Sequence, residues 1–189
     1  MKLFRIAAAL VVAFATASAV KAASSDDYLT IQLKDGPVVI ELLPDVAPKH
    51  VAQIKELAKK GEYDNVAFHR VIDGFMAQTG DVQFGDMNDG YDASRAGTGG
   101  SSLPDLPAEF SSVPFERGTV GMARAQDPNS ANSQFFIMFA DGGFLNGQYT
   151  VVGKVVAGME YVDKIKRGQG GNGEVSDPDR MIKVTVGRN

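Results

Sequence analysis

Between Leu29 and Leu42 apolar and polar side chains alternate in two short runs. Leu29, Ile31 and Leu33 are separated by Thr30 and Gln32; Val38, Ile40 and Leu42 resume the alternation after Asp35-Gly36. A period of two, interrupted by an Asp-Gly turn signal, predicts a β-hairpin with one buried face. The period then lengthens. From Pro48 onward, Val51, Ile54, Leu57 and Ala58 fall on one side of a helix, Lys59 and Lys60 meet the negative end of its dipole, and Gly61 stops it. Short strand-like runs follow at 66–72, 75–78, 118–123, 134–139 and 150–156. A second helix fits 159–167, with Met159, Val162 and Ile165 inward and Gly168 as terminator, and Ile182, Val184 and Val186 close the chain as a strand. Residues 82–117 are mostly loop, rich in Gly, Asp, Ser and Pro. Many strands and two helices predict a mainly β domain. A closed barrel with helices over its ends is the economical version, because closure removes sheet edges.

The N-terminus follows a different pattern. Lys2 and Arg5 precede an apolar run from Ile6 to Ala15, and small residues, Thr16-Ala-Ser-Ala19, come after it. Basic, apolar and small-residue regions in that order form a secretory signal. Cleavage is expected after Ala22, with Ala19 the alternative. The apolar core is shorter than the roughly 20 residues of a spanning helix, so no stable membrane insertion is expected once the signal is removed. Residues 1–22 are thus read as signal, 23–27 as linker and 28–189 as one domain. Export points to a bacterial periplasm, with secretion as the alternative.

Composition narrows the chemistry. Zero cysteines exclude disulfides, thiol nucleophiles and Cys-based zinc sites. A net charge of −4 with no basic cluster disfavours nucleic acid as a partner. Ala96-Gly-Thr-Gly-Gly-Ser101 lacks the Gly-Lys-Ser/Thr ending of a P-loop, and Asp86-Met-Asn-Asp-Gly90 has neither the sixth-position glycine nor the later glutamate of a calcium loop in register. His50 and His69 are the only histidines, and neither has a metal-ligand neighbour at ligand spacing.

Three longer stretches are more specific. They are Phe68-His-Arg-Val-Ile-Asp-Gly-Phe-Met-Ala-Gln-Thr-Gly-Asp81, Gly121-Met-Ala-Arg-Ala-Gln-Asp-Pro-Asn-Ser-Ala-Asn-Ser-Gln-Phe-Phe-Ile137 and Phe144-Leu-Asn-Gly-Gln-Tyr-Thr-Val-Val-Gly-Lys154. In this order they resemble the cyclophilin family of peptidyl-prolyl cis–trans isomerases, over about Tyr28 to Val186. The stretch from Gly99 to Phe110 resembles the bacterial branch. The resemblance implies a closed eight-stranded antiparallel β-barrel capped by two α-helices, with an apolar groove on its outside. It implies a catalytic arginine at Arg70, aided by Gln78 and Phe75. Met76, Phe136 and Leu145 would complete the proline pocket, and Gly97, Ala123, Arg124, Ala125, Gln134, Phe144 and Tyr149 the rest of the groove. The implied partners are proline-containing polypeptides, the implied state is a monomer, and no cofactor or metal is implied.

The residue types suit that chemistry. Resonance opposes rotation about a peptide bond by roughly 18–20 kcal/mol. At the twisted transition state the proline nitrogen gains a usable lone pair, to which a permanently charged guanidinium can donate. Three positions depart from the common family pattern. Phe144 replaces a frequent Trp and removes an N–H donor, so cyclosporin binding is expected to be weak. Tyr149 replaces a frequent His, and Arg124 a frequent Asn. The rival reading is a non-catalytic module that holds proline segments in the same groove. A weaker rival is a barrel that binds small ligands in its lumen.

Overall fold

The computed structural model describes residues 24–188; the expected signal segment lies outside them. Strands β1 (Tyr28–Gln32) and β2 (Pro37–Leu42) form the expected hairpin. Its turn lies one residue earlier than Asp-Gly suggests: Leu33 and Gly36 exchange both backbone bonds, leaving Lys34-Asp35 as the tip. Gly36 instead answers a packing demand, since a Cβ there would lie 2.5 Å from the Tyr161 ring.

Helix α1 spans Pro48–Lys60 and ends at Gly61 in the left-handed conformation. Its N-cap, Ala47, offers no side-chain oxygen. A distant carboxylate substitutes: Glu109 accepts from the backbone N–H groups of Lys49 and His50 and from His50 Nδ1, the last at 2.6 Å. Strands β3 (Arg70–Ile72), β4 (Met76–Thr79), β5 (Thr119–Met122), β6 (Phe135–Met138), β7 (Val151–Ala157) and β8 (Lys183–Val186) complete the sheet.

The strands join in the order β3-β4-β6-β5-β7-β2-β1-β8, every pairing antiparallel. The ladder therefore ends at β3 and β8, and the expected full closure gives way to an open, curled half-barrel. Irregular backbone crosses the gap between the end strands. Met181 donates to Val66, Phe68 to Asp179, Val175 to His69 and Val71 to Gly173. Asp64 accepts from the Val184 amide on β8 and pairs with Lys183 at 2.6 Å, which occupies an edge donor that would otherwise invite another strand.

Two other expectations change. The second helix, α2 (Met159–Val162), is much shorter than the 159–167 pattern predicts. The chain behind it turns so that Gly168 lies against Gly173, where a Cβ would come within 1.9 Å of the Gly173 carbonyl oxygen. Ile182 is 40% exposed, whereas its neighbour Met181 is buried, so β8 begins one residue past the expected alternation.

Alternation along β4, β5 and β6 divides apolar residues between two clusters. Ala77, Val120, Met122, Phe135 and Ile137 join the main core with the buried stripe of α1. Met76, Phe136 and Met138 project the other way, into a second cluster with Phe115, Leu145 and Val151. The main core is filled. The space among Leu29, Ile40, Ile54, Val120, Phe135 and Val152 does not admit even a water-sized sphere, which leaves no lumen for a small ligand there.

Candidate active-site groove

The second apolar cluster forms the floor of a groove on the outer face of β4 and β6. Gly121 on β5 faces Phe136 on β6, and a Cβ at Gly121 would come within 2.6 Å of both the Phe115 and Phe136 rings. The missing side chain lets those rings stack with centroids 5.7 Å apart. Tyr149 meets Phe136 edge-on at 5.9 Å, and Phe75 packs against Phe144 at 5.5 Å.

A pocket of about 240 Å³ opens on this floor. Met76, Phe136 and Leu145 are buried at its base, while Phe144 stands 66% exposed on its wall. Arg70, Phe75, Gln78, Ala123, Arg124 and Tyr149 complete the lining. A second hollow of about 340 Å³ adjoins it and is lined by Gln78, Gly97, Ala123, Arg124, Ala125 and Gln134 among others. All the site residues named from the sequence thus fall along one continuous groove.

A relay of side chains fixes the polar edge. Arg70 on β3 lies opposite Gln78 on β4, which brings both side chains to one face. Arg70 Nη1 donates to Gln78 Oε1 (3.2 Å), Gln78 Nε2 to Gln134 Oε1 (2.9 Å), and Gln134 Nε2 to the Gly99 carbonyl (2.8 Å). Arg70 Nε donates to the Asn172 carbonyl at 2.9 Å. The guanidinium is held at two points, and its Nη2 has no hydrogen-bond partner among the described residues. Burial lowers its pKa, with Tyr149 opposing that shift, but a guanidinium starts so high that it stays charged.

Two structural supports carried no assigned role in the sequence. Asn172 acts through its carbonyl and lies 102 residues from Arg70 in a glycine-rich stretch; no side-chain pattern signals such a contact. Asp81 is fully buried and accepts four backbone N–H bonds, from Gln83, Phe84, Gly97 and Gly99. It sets the loop that carries Gly97, whose φ is +96° and whose added Cβ would lie 3.0 Å from the His69 ring. Arg124, on the groove wall, is engaged through its side chain. It donates to the carbonyls of Ala125 (2.9 Å), Gln126 (3.2 Å) and Gln148 (3.0 Å) and lies 4.5 Å over the Tyr149 ring.

Comparisons with known proteins agree with this architecture. The family model "Cyclophilin type peptidyl-prolyl cis-trans isomerase/CLD" matches residues 28–186. A probable peptidyl-prolyl cis-trans isomerase of Brucella suis is 65% identical over 184 residues, covering 96% of this chain and 94% of its own. A peptidyl-prolyl cis-trans isomerase of Dictyostelium discoideum is 34% identical, covering 86% and 99%. Among solved structures, a cyclophilin from Hirschia baltica superposes with a TM-score of 0.73 at 26% identity, covering 86% of this chain and 74% of its own. A Cryptosporidium parvum cyclophilin, crystallised in the presence of the dipeptide Ala-Pro, gives a TM-score of 0.72 at 26% identity, covering 86% and 99%. The extent of the family match, the 65% identity and the shared fold establish that the chain belongs to the cyclophilin-type peptidyl-prolyl cis–trans isomerases.

Proposed function

We propose that this protein catalyses rotation about X-Pro peptide bonds in polypeptides, with Arg70 as the catalytic group. The observation that carries the reading is a guanidinium clamped by Asn172 and Gln78 beside an apolar pocket, with Nη2 left unbonded. The proline ring enters the pocket over Met76, Phe136 and Leu145, with Phe75 against its side. As the bond twists, conjugation is lost and the ring nitrogen turns pyramidal. Arg70 then donates to a lone pair that the planar substrate does not present. An interaction confined to the transition state raises the rate, whereas one made equally in both states does not. Gln78 uses its carbonyl oxygen and one N–H in the relay; its second N–H is left to hold the substrate carbonyl. Gln134 orients Gln78, and Gly97, Ala123, Arg124 and Ala125 line the path of the flanking peptide.

One charged hydrogen bond contributes about 1.5–3 kcal/mol, equivalent to roughly one to two decades in rate. Orientation in the pocket supplies the rest. No proton is transferred, so none of the site residues needs to act as acid or base.

The test follows cis-to-trans relaxation of a short X-Pro peptide. The mature protein should accelerate it, and Arg70→Ala should lower kcat/KM at least about tenfold. Peptide binding without acceleration by the unaltered protein would leave only a proline-segment-binding module. We also propose export to the periplasm, supported by the basic, apolar and small-residue order of 1–22. The mass of the protein recovered from a periplasmic fraction should match cleavage after Ala22; a full-length cytoplasmic product would refute it. There the enzyme would speed X-Pro steps in folding that otherwise take tens to hundreds of seconds.

A further inference from the structure

A third hollow, about 490 Å³, lies beside the groove on the other side of Arg70 and Gln78. One wall is the segment from Tyr91 to Thr98, and the other is Asn172, Glu174 and Val175. We infer that this hollow is a substrate subsite that accepts a lysine or arginine side chain close in sequence to the proline. The inference rests on the proposed isomerase reading and names part of its substrate class.

The lining matches a side chain with an apolar stem and a cationic head. Ala93, Ala96, Val175 and the half-buried ring of Tyr91 offer surface for methylenes. Glu174 supplies the only carboxylate in the lining and has no salt-bridge partner among the described residues. Its position makes that notable. Glu174 bridges Arg70 through the backbone, so opposite charges sit directly across from each other. Even so, the Arg70 guanidinium is bound to Gln78 and Asn172 instead, which leaves the carboxylate available. The Tyr91 hydroxyl lies within its field, since burial and then Glu174 raise the Tyr91 pKa; the phenol stays protonated and can hydrogen-bond at the same end.

The wall is also preformed. The Asp81 carboxylate holds Gly97 and Gly99, and Arg95 and Ala96 donate back to the Asp92 carbonyl. Arg95, the cation within this segment, stacks 3.6 Å over Phe84 and does not line the hollow. A substrate side chain would therefore enter an ordered site next to the reacting bond.

The experiment uses the mature protein and a peptide series that differs at one position within three residues of the proline. That position holds lysine, norleucine or glutamate, and kcat/KM and Kd are measured for each. At one position the lysine peptide should exceed norleucine by about two- to fivefold at low salt, the range of an exposed ion pair. The ratio should fall to about one at 1 M salt, where the screening length is about 3 Å, and also in Glu174→Gln. Glu174→Lys should favour the glutamate peptide. Equal values for lysine and norleucine at every position would overturn the subsite, as would a lysine preference that survives Glu174→Gln. Failure to turn over any peptide would count against the isomerase reading, while Kd would still report the preference.

Discussion

Arg124 ties the chain at 125–126 to that at 148–149 beside the apolar pocket. Its guanidinium bonds the carbonyls of Ala125 and Gln126 on one side and Gln148 on the other, and covers Tyr149 between them. Three bonds from a charged donor outweigh any single contact in the groove wall. Arg124→Ala should loosen the Tyr149 wall and raise KM several-fold, with a smaller change in kcat. Arg124→Lys should recover only part of the loss, because an ammonium lacks the planar fork. A steady-state comparison of the two variants checks this, and an unchanged KM in Arg124→Ala would refute the clasp. Phe144 gives the converse case. It is 66% exposed and has no polar hydrogen to donate. Phe144→Trp should tighten cyclosporin about two- to tenfold, the range of one neutral hydrogen bond, as measured by calorimetric titration.

At the scale of elements, α1 depends on a residue far from it in sequence. Glu109 satisfies two N-terminal donors that Ala47 cannot reach. Burial pushes the Glu109 carboxyl up, but the bonds from His50 and the backbone N–H groups outweigh that and hold it below its ordinary value. A depressed folded-state pKa means the contribution is present above the unfolded value of 4.5 and fades as pH falls through the folded one. Glu109→Gln should cost about 1–2 kcal/mol near pH 7 and flatten the acid limb of the stability profile below pH 4.5, as read by urea unfolding at several pH values. The limits of α1 were legible because Pro48, the apolar stripe and Gly61 are local signals. The cap was not, since nothing near Ala47 points to residue 109. The failure at α2 has the same origin: Met159, Val162 and Ile165 fit a helical face, yet Lys164 and Ile165 make only i−3 bonds and the Lys166 amide donates to the distant Asp179 carboxylate. In the groove, residues that act through side chains in a recognisable motif were legible. Asn172 acts through its carbonyl, and Asp81 through amides up to 18 residues away, so neither contact had a local signature.

The whole molecule has a strong centre and a weaker seam. In the middle, β2, β1, β7 and β5 are joined by direct ladders, two of them with a single register shift, and α1 seals the core they share. At the ends, β3 and β8 have no direct ladder, and scattered bonds from 65–71 to 173–181 join them. Alternation signals which residues face inward but not whether a sheet's ends meet, so closure could not be read from the sequence. The seam reaches the groove, because Arg70 starts β3 and donates from Nε to the Asn172 carbonyl across it. Local opening requires breaking only the contacts of the segment that opens, so regions with few ladder bonds open at lower free energy than the core. Native-state hydrogen exchange should therefore show the Phe68, Val71 and Val175 amides exchanging at least about tenfold faster than those of β1 and β2, a gap of about 1.4 kcal/mol in opening free energy. A bound proline peptide that contacts Arg70 should slow exchange at the seam, and also at central amides that exchange only through global unfolding, because both openings break its site. Equal protection across seam and centre in the free protein would mean that the sheet opens as one unit, with the Asn172 strap as firm as the core.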